Sequence, residues 1–152
     1  MTIQKNSSLI PIICSIWVTL CTDVSIMVNG TDRFHKLIRL KNSGSWRQIY
    51  FTPSTAEFIE KPKQDDPGIG YEQSLKFNFP GEDSGNNLEF DEIQDRPLIV
   101  LIRYSDEKLK LFGSTDNGAR LIRNSQTSNK LSGSEIIITC NATEPSWWAP
   151  AD

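Results

Sequence analysis

Apolar and polar positions alternate along most of this chain in short runs, punctuated by Gly, Pro, Asn, Asp and Ser. That is the pattern of β-strands joined by turns. The clearest run is YEQSLKFNF, Tyr71 to Phe79. Its odd positions are Tyr, Gln, Leu, Phe and Phe, and its even positions Glu, Ser, Lys and Asn, predicting a half-buried strand about 30 Å long with one wet face. LIVLIRY, Leu98 to Tyr104, is apolar on both faces and predicts a central strand. Ser105 to Lys108 then turns the chain into LKLFG. Shorter strands are expected over Ser25 to Val28, Arg33 to Lys41, Trp46 to Thr52 and Ala56 to Glu60. Ala119 to Arg123 and Glu135 to Cys140 supply the last two, separated by the polar stretch NSQTSNKLSGS.

Two segments break the pattern. KPKQDDPGIG, Lys61 to Gly70, carries two prolines and two glycines and predicts an exposed, irregular arm. Asn86-Asn87 resembles the cap of a short helix over Leu88 to Asp95, which must stop ahead of Pro97. The chain is therefore expected to form one mainly β domain over residues 1–152. An antiparallel β-sandwich or barrel-like fold with one short helix fits, with the arm at about 61–70 and a tail over about 142–152.

The first apolar stretch, LIPIICSIWVTLC (Leu9 to Cys21), admits three readings. It is too short to span a membrane as a helix, which needs about 20 apolar residues. Lys5 ahead of an apolar core favours a signal peptide, but Thr22, Asp23 and Val24 supply no small-x-small cleavage site. Its β-branched content and Trp17 favour a strand. Even positions 10 to 20 are wholly apolar and odd positions largely so, predicting a strand covered on both sides. On strict alternation Ile13 and Trp17 share the odd face.

A formal net charge of −3 over 152 residues offers no basic excess for phosphate contacts, which argues against sequence-specific nucleic-acid binding. Cys14, Cys21 and Cys140 are odd in number and irregular in spacing, so reduced thiols are expected. Asn-x-Ser/Thr triplets at Asn6, Asn29 and Asn141 matter only if the chain is secreted. Catalytic and metal chemistry find little support. The single histidine, His35, could be paired with Cys14 or Cys21 and oriented by Asp32, but no local motif carries that pairing. The acidic segment Glu82 to Asp95 places Gly85 where a calcium loop needs a ligand. Gly68-Ile69-Gly70 lacks the third glycine of a dinucleotide fingerprint and precedes a strand instead of following one. No catalytic residue, metal ligand or cofactor is expected.

Three blocks carry a resemblance: WRQIYFTPSTAEFIEKPKQDDPGIGYEQSLKFNFPGED (46–83), RPLIVLIRYSDEKLKLFGSTDNGARLIRN (96–124) and GSEIIITCNATEPSWW (133–148). Their order resembles small β-sandwich structural proteins of tailed phages and prophages infecting Bacteroides-type bacteria, the crAss-like group among them. The resemblance implies a non-enzymatic virion subunit, assembled in the host bacterial cytoplasm. It would form a cyclic homo-oligomeric ring in the tail or head-to-tail neck, against neighbouring tail and neck proteins and away from any membrane. On that reading the oligomer interface falls on Ile13 and Trp17 of the first strand, Gln64, Asp65 and Asp66 of the arm, and Trp147 and Trp148 of the tail. The alternative is a secreted or surface β-sandwich binding module whose first 21 or so residues are a signal.

Overall fold

The computed structural model describes residues 11–29, 36–42, 44–52, 54–65, 68–80, 92–127 and 132–149. The fold is mainly β; among the described residues every strand pair is antiparallel and no helix reaches seven residues. Eleven strands are described: β1 (Ile13–Leu20), β2 (Val24–Asn29), β3 (Lys36–Leu40), β4 (Arg47–Ile49), β5 (Glu57–Asp65), β6 (Gly68–Pro80), β7 (Leu98–Tyr104), β8 (Leu109–Phe112), β9 (Arg120–Thr127), β10 (Ser132–Ala142) and β11 (Trp147–Ala149). They build three sheets, arranged as a sandwich with an extra layer. The orders are β11-β8-β7-β1-β4, β5-β6-β10-β9, and the hairpin β2-β3.

The main core lies between the five- and four-stranded sheets. Alternation sends Ile16 and Val18 of β1, and Leu98, Val100 and Ile102 of β7, to the inner face of one sheet. Leu75, Phe77 and Phe79 of β6, with Ile136 and Ile138 of β10, meet them from the other. Burying each such side chain contributes about 1.5–3 kcal/mol. The outer face of the five-stranded sheet is apolar too. Ile99, Leu111 and Trp147 on that face pack with Cys21 and Val24, and Met27, Ile38 and Leu40 of the hairpin close over them. This second layer explains why LIVLIRY is apolar on both faces.

Within LIPIICSIWVTLC, Ile13–Leu20 form a strand held between β7 and β4, and Cys21 opens a 3-10 turn. Its alternation is not regular. Ile13 lies opposite Tyr104 and Ser15 opposite Arg103, so Cys14 is an extra residue, a β-bulge. The bulge reverses parity upstream of it: Ile13 packs against the main core beside the even positions, and Cys14 is exposed. The expectation that Ile13 shares a face with Trp17 is corrected accordingly.

The arm is also corrected. Lys61 to Asp65 continue β5 and Gly68 to Gly70 begin β6, with pairing unbroken from Glu57↔Lys76 to Asp65↔Gly68. Pro62 is tolerated because β5 is the outer strand of its sheet, where a missing N–H costs no ladder bond. Most of NSQTSNKLSGS is likewise strand, since β9 runs to Thr127 and β10 starts at Ser132. The tail forms β11, paired with β8. Of the expected helix, residues 88–91 lie outside the described residues; Glu92 and Ile93 are helical and Asp95 takes a left-handed φ of 63°.

Candidate assembly surfaces and a polar–aromatic cluster

The sequence assigned contacts to the odd-numbered face of β1, to the arm and to the tail, and the fold distributes them unevenly. Ile13 faces its own core, whereas Trp17 stands half-buried on the outer face, opposite Leu101 and Gln48. Gln64 and Asp65 belong to the β5 backbone, while their side chains and all of Asp66 lie outside the described residues. Trp147 is only 6 % exposed, docked under the hairpin with its Nε1 donating to Glu144 Oε2 at 3.1 Å. Trp148 points to the opposite face and is half-buried. The tail indoles therefore have separate roles, as adjacent positions on a strand must.

Two apolar surfaces escaped the sequence reading. Ile26, Val28 and Leu37 lie on the outward face of the β2-β3 hairpin and are each about half exposed (48 %, 49 % and 48 %). Val28 is directly opposite Leu37, so the patch is contiguous across both strands. The signal was present in Val24, Ile26, Met27 and Val28, where both parities are apolar and a one-sided hairpin would have a polar row. The second surface lies at the β4 edge, where Ile12 (61 % exposed) and Tyr50 (69 %) border an apolar groove of about 510 Å³ floored by Ile13, Ile49 and Phe51.

A polar cluster closes one end of the sandwich. Glu60 Oε2 accepts from Gln73 Nε2 at 2.8 Å and from the Ser146 amide at 2.7 Å, tying β5 and β6 to the chain leading into β11. Gln73 is 1 % exposed, and its Oε1 has no donor among the described residues. Across from Glu60, the Lys110 ammonium lies over three rings: Trp148 at 4.7 Å, Phe58 at 5.2 Å and Tyr104 at 5.7 Å from their centroids. Burial holds the Lys110 pKa below its usual value against the opposing pull of Glu60. Burial, with Asp106 and Glu60 adding, keeps Tyr104 a neutral phenol to higher pH than usual.

The cysteines are free thiols. Burial, reinforced by Cys140, raises the Cys21 pKa to about 11, and burial raises that of Cys140 as well. A thiol held protonated is the reverse of an activated nucleophile. His35 and Asp32, the other members of the pairing considered from sequence, lie outside the described residues. Among the described residues no three His, Cys, Asp or Glu side chains gather as a metal site would require, and no helix is long and apolar enough to cross a membrane. No family model, curated protein or solved structure matches the chain.

Proposed function

We propose that this chain is a non-enzymatic structural subunit that acts by assembling with copies of itself into a closed ring, in the tail or neck of a phage virion as the sequence resemblance implies. The observation that carries the assembly reading is the contiguous outward patch Ile26–Val28–Leu37. Large apolar side chains left half in water on a well-packed domain favour a protein partner. The hairpin covers Ile99, Leu111 and Trp147 on the β7, β8 and β11 part of its sheet, whereas the apolar groove lies at the β4 edge. Two unlike apolar surfaces, one on the outward face of the hairpin and one at the β4 edge of the five-stranded sheet, suit a head-to-tail contact, which closes into a ring when the rotation permits.

The place of β1 weighs against the secreted-module alternative. Cleavage near residue 21 would remove the strand that joins β7 to β4, and with it Ile16 and Val18 from the core. The test is the double variant Val28→Glu with Leu37→Lys. These residues are cross-strand partners, so the new charges can pair and hold the hairpin while the apolar patch disappears. Wild-type protein should sediment as a single large species, and the variant as a monomer with an unchanged circular dichroism spectrum. Wild-type protein that remains monomeric at its highest soluble concentration overturns the proposal.

A further inference from the structure

Three aromatic rings converging on one ammonium constitute a binding geometry, whatever ammonium occupies it. A cation within about 6 Å of a ring centroid is attracted by the ring quadrupole, and several rings around a desolvated cation form the cage that recognises quaternary ammonium groups. Here Phe58 comes from the four-stranded sheet, and Tyr104 and Trp148 from the five-stranded one. All three centroids lie within that distance of Lys110 Nζ. Glu60, held in place by Gln73 and the Ser146 amide, is close enough for its carboxylate to favour the charged form of Lys110. Phe58 and Tyr104 are also walls of an adjoining, largely apolar cavity of about 320 Å³, lined besides by Pro11, Ile12, Ile13 and Ala56 and, at its polar side, Ser54 and Glu57. An aromatic cage, a counter-charge and a neighbouring apolar chamber are the three elements an amphipathic organic ammonium requires.

We propose that Phe58, Tyr104 and Trp148 form a cage for an organic ammonium ligand, and that Lys110 is its built-in occupant, giving way when such a ligand enters with its apolar part in the adjoining cavity. Lys110 can leave because its ammonium rides on four rotatable bonds and gains full hydration outside. The ligand class follows from the cage: a methylated ammonium carries its charge on a bulky, weakly hydrated head, which loses less on leaving water than a primary ammonium does. The cage of Phe58, Tyr104 and Trp148 does not rest on the ring, although the adjoining cavity shares Ile12, Ile13 and Ser54 with the β4-edge groove.

Choline is a suitable probe, with its uncharged carbon isostere as control at matched ionic strength. Binding is read by isothermal titration calorimetry in every variant, with the Trp148 indole resonance as a second signal where that residue is present. Lys110→Ala removes the ammonium that lies over all three rings, leaving Lys108 Nζ 5.8 Å from the Trp148 centroid alone, and should bind choline at least about tenfold more tightly than wild type, an effect the size of one desolvated cation–π contact. Adding Trp148→Ala to that variant should abolish the gain, and the isostere should bind neither protein. Lys110→Thr, suited to its strand position, gives the same readout if the alanine variant fails to fold. A folded Lys110 variant that binds choline no better than wild type overturns the proposal. So does an isostere that binds equally well, or a gain that survives loss of Trp148.

Discussion

Replacing Trp147 by alanine separates the two layers that meet on the outer face of the five-stranded sheet. Its ring is 6 % exposed against Ile99, Leu111, Cys21 and Val24, with Lys36 Nζ 4.8 Å above it. A large aromatic side chain buries about 150–250 Å², worth roughly 4–6 kcal/mol at 25 cal/mol per Å². A compact unfolded chain lowers this to about 3–5 kcal/mol, the range found for Trp→Ala in cores. For a domain of this size each kcal/mol shifts Tm by about 2–4 °C, so a fall of roughly 6–20 °C is expected. The assay is urea unfolding followed by near-ultraviolet circular dichroism, with limited proteolysis of the β2-β3 hairpin that loses its floor. Trp148→Ala, at a half-buried position, should cost clearly less. A Trp147→Ala protein within about 1 kcal/mol of wild type, or a Trp148 variant that loses more, would refute the assignment of Trp147 to the inner layer.

The thiols give a second expectation. At pH 8 the native protein should label once, at exposed Cys14, and at Cys21 and Cys140 only on unfolding; three fast equivalents would contradict the packing. Because burial raises the Cys21 pKa from 9.0 to about 11, the unfolded chain deprotonates first and stability should fall as pH rises through that window, less so in Cys21→Ala. Gly113 has a φ of +88°, and a Cβ there would lie 2.6 Å from the Leu98 carbonyl oxygen. Gly113→Ala should therefore cost on the order of 1–3 kcal/mol in denaturant unfolding, and a neutral result would dispute the local backbone.

What could be read in the sequence was whatever depends on side-chain period alone. LIVLIRY became β7 with the expected limits, and YEQSLKFNF became the centre of β6, because strict alternation admits one register. The departures from the pattern share a physical origin: turn-forming composition does not by itself dictate conformation. Lys61 to Gly70 is rich in turn-forming residues, yet pairing along an outer strand tolerates a proline and needs no apolar side chain, so the hairpin simply continues. NSQTSNKLSGS is polar for a similar reason, since the strands it extends pair through their backbones. The β-bulge at Cys14 has no local signature in an apolar run, and it alone decides which way Ile13 points. Convergence on Lys110 was beyond reach, because its rings come from β5, β7 and β11 and meet only after two sheets have stacked.

The bulge also relocates the assembly question. Had β1 alternated regularly, Ile13 and Trp17 would have formed one outward apolar row on an interior strand. With the bulge, Ile13 is absorbed by its own core and floors the β4-edge groove, so that its burial helps to shape a concave surface. The hairpin packed on the outer face of the five-stranded sheet then carries the other exposed apolar surface, because a two-stranded layer stabilised from beneath still has a second face to cover. A protein that only needed to be stable would have made that second face polar at no cost to its core. Ile26, Val28 and Leu37 are apolar where the fold does not ask for it, and that surplus is what an assembly contact requires.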